Sequence, residues 1–260
     1  MILYKLRAEF FALPILAAVL ILFAFAQTAE AKEPPKYKIR VDLTENLVFI
    51  DEWDIKLQEY VSTEHVFLCS PGRASTPTPT GTFTAKPRAI DWTYDPAGTG
   101  EWIRFRSYAS VYVNSATNIT QSIVFHSLPS SRPDYHQINQ RDLDLMGQPS
   151  SQGCVRLLPR QAAWIRANCD GSTVNIYYGA GYNSGFWSLR EELRKEVPSK
   201  AIYPDMSVTE NTKFIYTYFG DTIEKLSDMA EISADKIIEL NSDIDFSKGI
   251  PAGLAVRIKD

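Results

Sequence analysis

Between Tyr37 and Tyr178 short apolar runs are cut apart by clusters of turn-forming residues, and this punctuation most constrains the fold. Tyr37-Lys38-Ile39-Arg40-Val41-Asp42-Leu43 alternates apolar and polar side chains, as a half-buried strand must. Residues 47–50, 64–69, 81–85, 102–105, 110–113 and 121–125 add further short strands. Ser70-Pro71-Gly72, the Ser/Thr/Pro-rich stretch 74–80 and Asp95-Pro96-Ala97-Gly98 separate them. Many short strands at this spacing predict a mainly β domain, a sandwich or barrel, rather than βαβ units. One helix interrupts the pattern. Pro159 fits its first turn, and Ala162, Ala163, Ile165 and Arg166 carry it to Asn168. Gly171 then opens a strand over residues 173–178.

The flanks of this region differ in character. Lys5 and Arg7 precede a long apolar run over residues 10–26, and Ala29-Glu30-Ala31 supplies small residues at the positions a signal peptidase reads. Residues 1–31 therefore read as a signal peptide or a membrane anchor, and in both cases the rest of the chain is exported. The net charge of -4 argues against a nucleic-acid partner, which calls for a basic face. Residues 181–210 read as a linker, with a charged, solvated helix over 187–197 that Pro198 ends. Residues 211–260 read as a separate βααβ unit. A strand and turn over 216–222 lead to a helix carrying Ile223, Leu226, Met229 and Ala230, with Asp221 or Thr222 as its cap. Ser233 caps a second helix through Ile237, Ile238 and Leu240, which stops near Asn241. Pro251-Ala252-Gly253 turns into a last strand over 254–258.

The chemistry concentrates at Ser150-Ser151-Gln152-Gly153-Cys154-Val155-Arg156-Leu157. An unpaired thiol in an exported chain is unusual, because oxidising surroundings consume it, so Cys154 is a candidate nucleophile. Of the other cysteines, Cys69 and Cys169 read as small buried hydrophobes, and a bridge between them stays open. A base for the thiol must come from His65, His126 or His136. His126 ends an apolar strand, His136 lies in the polar loop 129–141, and His65 sits in a strand where a structural role is expected. Gly153 allows close backbone approach, and amides beside the thiol suit an oxyanion. Arg156 falls on the same strand face as Cys154, where it would hold a substrate carboxylate or form a surface ion pair. The histidines are scattered and no Cys-x-x-Cys pair occurs, so no metal site is expected.

These residues stand in an order that resembles the L,D-transpeptidase (YkuD-type) family of peptidoglycan cross-linking enzymes. The motif of that family joins a strand-end histidine to Ser-His-Gly-Cys, an apolar residue and Arg. Here it reads His126-Ser127, then Met146-Gly147-Gln148-Pro149, then Ser151 to Arg156. Cys69-Ser70-Pro71-Gly72 and Thr78-Pro79-Thr80-Gly81-Thr82-Phe83 resemble its upstream stretches. Ala163-Trp164-Ile165 and Gly171-Ser172-Thr173-Val174-Asn175-Ile176 resemble its closing helix and strand. The resemblance spans residues 37–178. It implies a β-sandwich or barrel-like L,D-transpeptidase fold over 37–180 with one or two helices. It further implies Cys154, His126, Ser127 and Gly153 as catalytic residues, and Arg156, Ser151 and Gln152 at the substrate. One motif position departs: Gln152 replaces a histidine and cannot titrate. The stretch from His126 to Cys154 is also longer than the compact family pattern, and His136 lies nearer the shorter spacing.

The C-terminal unit resembles LysM, a glycan-binding domain of peptidoglycan and chitin. By that resemblance Gly220, Asp221, Thr222, Ile223 and Asn241 would face sugar, unless they only cap helices. Together the two resemblances imply a cell-wall enzyme, or one on the outer face of the cytoplasmic membrane, that acts on stem peptides and glycan strands without a cofactor. The expected reaction is a 3→3 cross-link made through a cysteine acyl-enzyme. An L,D-carboxypeptidase and an inactive wall-binding protein are the alternatives.

Overall fold

The computed structural model describes residues 33–88, 102–105, 111–134, 137–181, 185–195, 197, 208, 212–218 and 220–259. The expected targeting segment 1–31, His136 and the turn at residues 95–98 lie outside the described residues. Among the described residues no helix is long and apolar enough to cross a membrane.

Strands β1 (Tyr37–Asp42), β2 (Leu47–Asp54), β3 (Glu59–Leu68) and β4 (Gly81–Thr84) form most of a five-stranded sheet. The fifth strand, β11 (Thr173–Tyr177), runs parallel to β1 and antiparallel to β4, which gives the order β3-β2-β1-β11-β4. A second, four-stranded sheet takes β5 (Lys86–Pro87), then β8 (Thr117–Asn118), β9 (Val124–Ser127) and β10 (Val155–Leu157). β6 (Trp102–Arg104) and β7 (Tyr112–Asn114) make a separate antiparallel pair. The helix expected at Pro159 is α2 (Pro159–Asn168), with proline in its first turn. Ile39, Val41, Val48 and Ile50 of the first sheet meet Phe125, Val155 and Leu157 of the second and Ala162, Trp164 and Ile165 of α2 in one core. That is the mainly β architecture the strand spacing predicts.

β2 breaks the simple alternation because both of its faces are covered. Val48 and Ile50 enter the main core, while Leu47 and Phe49 turn into a second cluster. That cluster holds Leu143 of α1 (Gln140–Asp144) and Met146, with Phe186, Leu189 and Leu193 of α3 (Phe186–Lys195) packed against it. The expectation of a solvated connecting helix is thereby corrected. α3 lays a half-buried apolar edge on the sheet, and Arg190 approaches the buried Glu45 to 3.6 Å.

The last unit is βααβ in chain order: β12 (Phe214–Tyr216), α4 (Ile223–Ala230), α5 (Ala234–Leu240) and β13 (Ala255–Arg257), the two strands antiparallel. Thr222 and Ser233 cap the helices by accepting from the amides of Lys225 and Lys236. It is not a separate body: residues 35–260 form one compact unit. Tyr216 enters the main core, and its hydroxyl lies 3.2 Å from Nδ1 of His65. His65 packs its ring against Trp164, Phe214 and Tyr216, which is a structural role. Arg160 of α2 donates at 2.7 Å to the fully buried carboxylate of Asp221 and stacks over the Tyr218 ring. Asn168 donates to the Gly253 carbonyl at 2.8 Å. Gly253 has φ +86°, and a Cβ there would lie 2.4 Å from Cβ of Ala167, so the joint leaves no room for a side chain.

Candidate active site

β9 and β10 lie side by side and parallel, with Val155 opposite Phe125, Arg156 opposite His126 and Leu157 opposite Ser127. Alternation along a strand sends Cys154 and Arg156 to one side, the side on which His126 stands. The three side chains line a single cavity of about 430 Å³ with Asp142, Gln152 and Phe105. The strand that carries His126 starts later than expected. Thr120 accepts from the amides of Ser122 and Ile123, so residues 120–123 form a turn rather than the first half of a strand. β9 runs one residue past His126, to Ser127, so His126 is its penultimate residue, and it is 3 % exposed.

The imidazole is oriented by backbone. Its Nδ1 lies 2.6 Å from the Ser127 carbonyl oxygen. A carbonyl only accepts, so Nδ1 carries the proton and Nε2 is left as the basic nitrogen. The Ser127 hydroxyl does a different task, accepting from the Asn114 amide at 2.7 Å and donating to the Leu128 carbonyl at 3.1 Å. Phe105 packs against the histidine ring at 5.3 Å and 73°.

The thiol sits on a tightly bonded turn. Ser151 Oγ accepts from the Gly153 amide at 3.0 Å and donates to the Cys154 carbonyl at 2.5 Å. Thr78 Oγ1 accepts from the Gly72 amide and donates to the Gly153 carbonyl, both at 2.8 Å. The Thr78-containing loop thus clamps the nucleophile turn, which the sequence left unassigned. Gly153 has φ +113°, and a Cβ would meet Cδ1 of Ile123 at 2.8 Å, so only glycine fits. These contacts correct two expectations. The Gly153 amide, expected at the oxyanion, is already engaged by Ser151. Ser151 itself is buried, with its hydroxyl held within the turn. Gln152, by contrast, is exposed at the cavity.

Electrostatics keep the resting pair neutral. Burial pushes the Cys154 thiol above its usual value, against the pull of a Val124 backbone hydrogen bond and the charges of Arg156 and Arg88. Burial, reinforced by Arg156, pushes His126 down to about 3, against the Ser127 carbonyl. Sulfur and imidazole are therefore a thiol and a neutral ring at neutral pH, and the proton moves when substrate enters. Cys69 and Cys169 are free and buried, so no bridge joins them, and burial drives the Cys169 thiol up to about 12. Iodoacetamide should accordingly label Cys154 alone in the native protein. Its rate should climb steadily from pH 6 to beyond pH 9; a rate plateau below pH 7 would reveal a preformed thiolate and contradict this picture.

A family model for the L,D-transpeptidase catalytic domain (YkuD) matches residues 36–176. The chain belongs to the L,D-transpeptidase family. The matched span runs from the start of β1 almost to the end of β11 and contains every residue of the cavity. Among solved structures, an L,D-transpeptidase from Mycobacterium smegmatis is 20% identical over 55% of this chain and 58% of its own, at a TM-score of 0.38. L,D-transpeptidase 3 from Mycobacterium tuberculosis is 18% identical over 55% and 61%, at 0.37. A fused Zn-dependent amidase/peptidase/peptidoglycan-binding protein from Clostridium acetobutylicum is 23% identical over 62% of each chain, at 0.38. The chain spans about six-tenths of the length of these structures. Likeness at that level adds nothing to the family match. Comparison with curated proteins found no match.

The expected glycan-facing residues divide. Gly220 and Thr222 are exposed and Ile223 is half-buried. Asp221 and Asn241 are corrected. Asp221 pairs with Arg160 and with Lys225 inside the joint. Asn241 ties α5 to β13, donating to the carbonyls of Ile237 and Arg257 and accepting from the Arg257 amide. Neither side chain is presented to a ligand. The sequence reading also missed Asp142, which meets Arg156 at 2.8 Å in the cavity wall. The one available signal was Asn139, whose side chain accepts from the Arg141 amide and starts the helix that carries Asp142.

Proposed function

We propose that this L,D-transpeptidase transfers an acyl group from a peptidoglycan stem peptide through Cys154 and forms 3→3 cross-links. The observation that carries the reading is the shared cavity in which Cys154 stands with a backbone-oriented His126. His126 Nε2 takes the thiol proton as sulfur attacks the carbonyl between the third residue and terminal D-alanine. We assign the developing oxyanion to the Cys154 amide, because the Gly153 amide is engaged by Ser151. The C–N bond breaks, His126 returns its proton to the leaving D-alanine, and a thioester remains. A side-chain amine of a second stem then attacks, loses its proton to His126 and expels the sulfur, which recovers that proton. Water in place of the amine would make the enzyme an L,D-carboxypeptidase.

The βααβ unit supports a LysM-type role in holding glycan, with Gly220, Thr222 and the exposed loop at Ser242 and Asp243 as its open face. Because the unit is packed on α2, it would hold glycan in a fixed direction relative to the cavity rather than on a loose tether. Ser242→Glu should then reduce co-sedimentation with insoluble peptidoglycan, and undiminished sedimentation would remove that role. The N-terminal segment, as signal or anchor, would deliver the enzyme to the wall side of the membrane. Product analysis with one defined tetrapeptide stem tests the reaction. Released D-alanine with a dimer lacking one D-alanine is expected. Tripeptide alone would favour hydrolysis, and no product would favour an inactive wall-binding protein.

A further inference from the structure

We propose that Asp142 is a positioning residue that acts through Arg156, holding its guanidinium at the cavity wall where it selects acyl donors ending in a free carboxylate. This rests on the acyl-transfer reading above and extends it to substrate choice. Arg156 Nη1 donates to Asp142 Oδ1 at 2.8 Å, and the two side chains are only 16% and 19% exposed. Among the described residues no other side chain partners the guanidinium, and its Nε is buried without a partner. Removing the carboxylate would therefore leave a long cationic side chain with nothing to fix its direction.

Both members of the pair are anchored to one residue. Ser70 exchanges backbone hydrogen bonds with Arg156, at 2.9 and 3.1 Å. Its hydroxyl donates to the Leu145 carbonyl at 3.0 Å, immediately after the helix that carries Asp142. Leu143 of that helix and Met146 just beyond it pack into the cluster under β2. The carboxylate is thus presented to Arg156 by a rigid support, as a site built for orientation requires. Arg156 stands opposite His126 in register and shares the cavity with Cys154. The leaving D-alanine ends in a carboxylate close to the bond that breaks. A guanidinium beside the nucleophile matches that group, and a charged hydrogen bond discriminates against a neutral analogue.

The test compares two tetrapeptide donors, one with a free terminal carboxylate and one amidated there, by the initial rate of D-alanine or D-alaninamide release. Full-length wild type should prefer the acid by roughly 10–100-fold. Asp142→Asn should shrink that preference to a few-fold, and Asp142→Glu should restore most of it. Arg156→Gln should abolish the preference, and adding Asp142→Asn to it should change nothing further, because the effect travels through the arginine. A wild-type preference retained in Asp142→Asn would overturn the proposal. So would an Asp142→Asn loss that persists in the Arg156→Gln background, which is the pattern of a residue that only stabilises its helix. Wild type that releases nothing from either donor would sink the acyl-transfer reading, and this inference with it.

Discussion

His126→Ala is expected to lower the rate of Cys154 acylation by about 10²–10⁴-fold, the range lost when a positioned proton-transfer group is removed. The expectation follows from geometry. Nδ1 is committed to the Ser127 carbonyl, so Nε2 has one chemical use, to accept and return a proton. His65 offers no substitute, because its ring is packed among Trp164, Phe214 and Tyr216 at the joint with the βααβ unit. His65→Gln should therefore leave acylation within a few-fold of wild type while lowering the melting temperature. His136→Ala is the control for the alternative base weighed from the sequence. Acylation kinetics on the three variants decide the matter, and a loss confined to His136→Ala would contradict the assignment of His126.

Asp221→Ala is expected to destabilise the protein by about 3–5 kcal/mol, the cost of stranding a buried charge. The stranded group is Arg160, which is 4 % exposed. Asp221 accepts from Arg160 at 2.7 Å, from the Tyr218 amide at 2.8 Å and from Lys225 at 2.9 Å. Burial alone would raise its carboxyl, but the Arg160 hydrogen bond and charge, the Tyr218 amide and Lys225 together hold it below its usual value. Its stabilisation is present above the ordinary carboxylate pKa of about 3.9 and is lost as the pH falls through the lower folded value. Replacing both partners, as Arg160→Met with Asp221→Leu, should recover much of the loss, because a paired charge in the interior is worth little more than well-packed apolar atoms. Urea unfolding of the single and double variants measures this. An Asp221→Ala cost below about 1 kcal/mol would mean that the joint is looser than its contacts imply.

Much of the fold was legible because it rests on periodicity. The alternation through β1 and β11, Pro159 at the start of α2, and the caps Thr222 and Ser233 all depend on neighbouring residues. The same holds for the nucleophile turn, where Gly153-Cys154 stands out as a sequence. What escaped depends on contacts between distant segments. The helix of Asp142 is short and buries one residue, Leu143, so its pattern is too brief to see inside a polar loop. The turn at Thr120 is made by a side-chain hydroxyl, which delays the start of β9. Asp221 and Asn241 look like ligand residues in sequence because both are polar and adjoin helix ends. Only the folded chain brings Arg160 of α2 onto Asp221 and the backbone of β13 onto Asn241, and those partners take up the polar atoms that a sugar would need.

The most direct test of the central claim is intact-protein and peptide mass spectrometry after incubation with a carbapenem, a strained acyl donor. One covalent adduct per chain, mapped to Cys154 and absent from Cys154→Ala, is the predicted result. An unmodified wild-type protein, or an adduct that persists in Cys154→Ala, would contradict it.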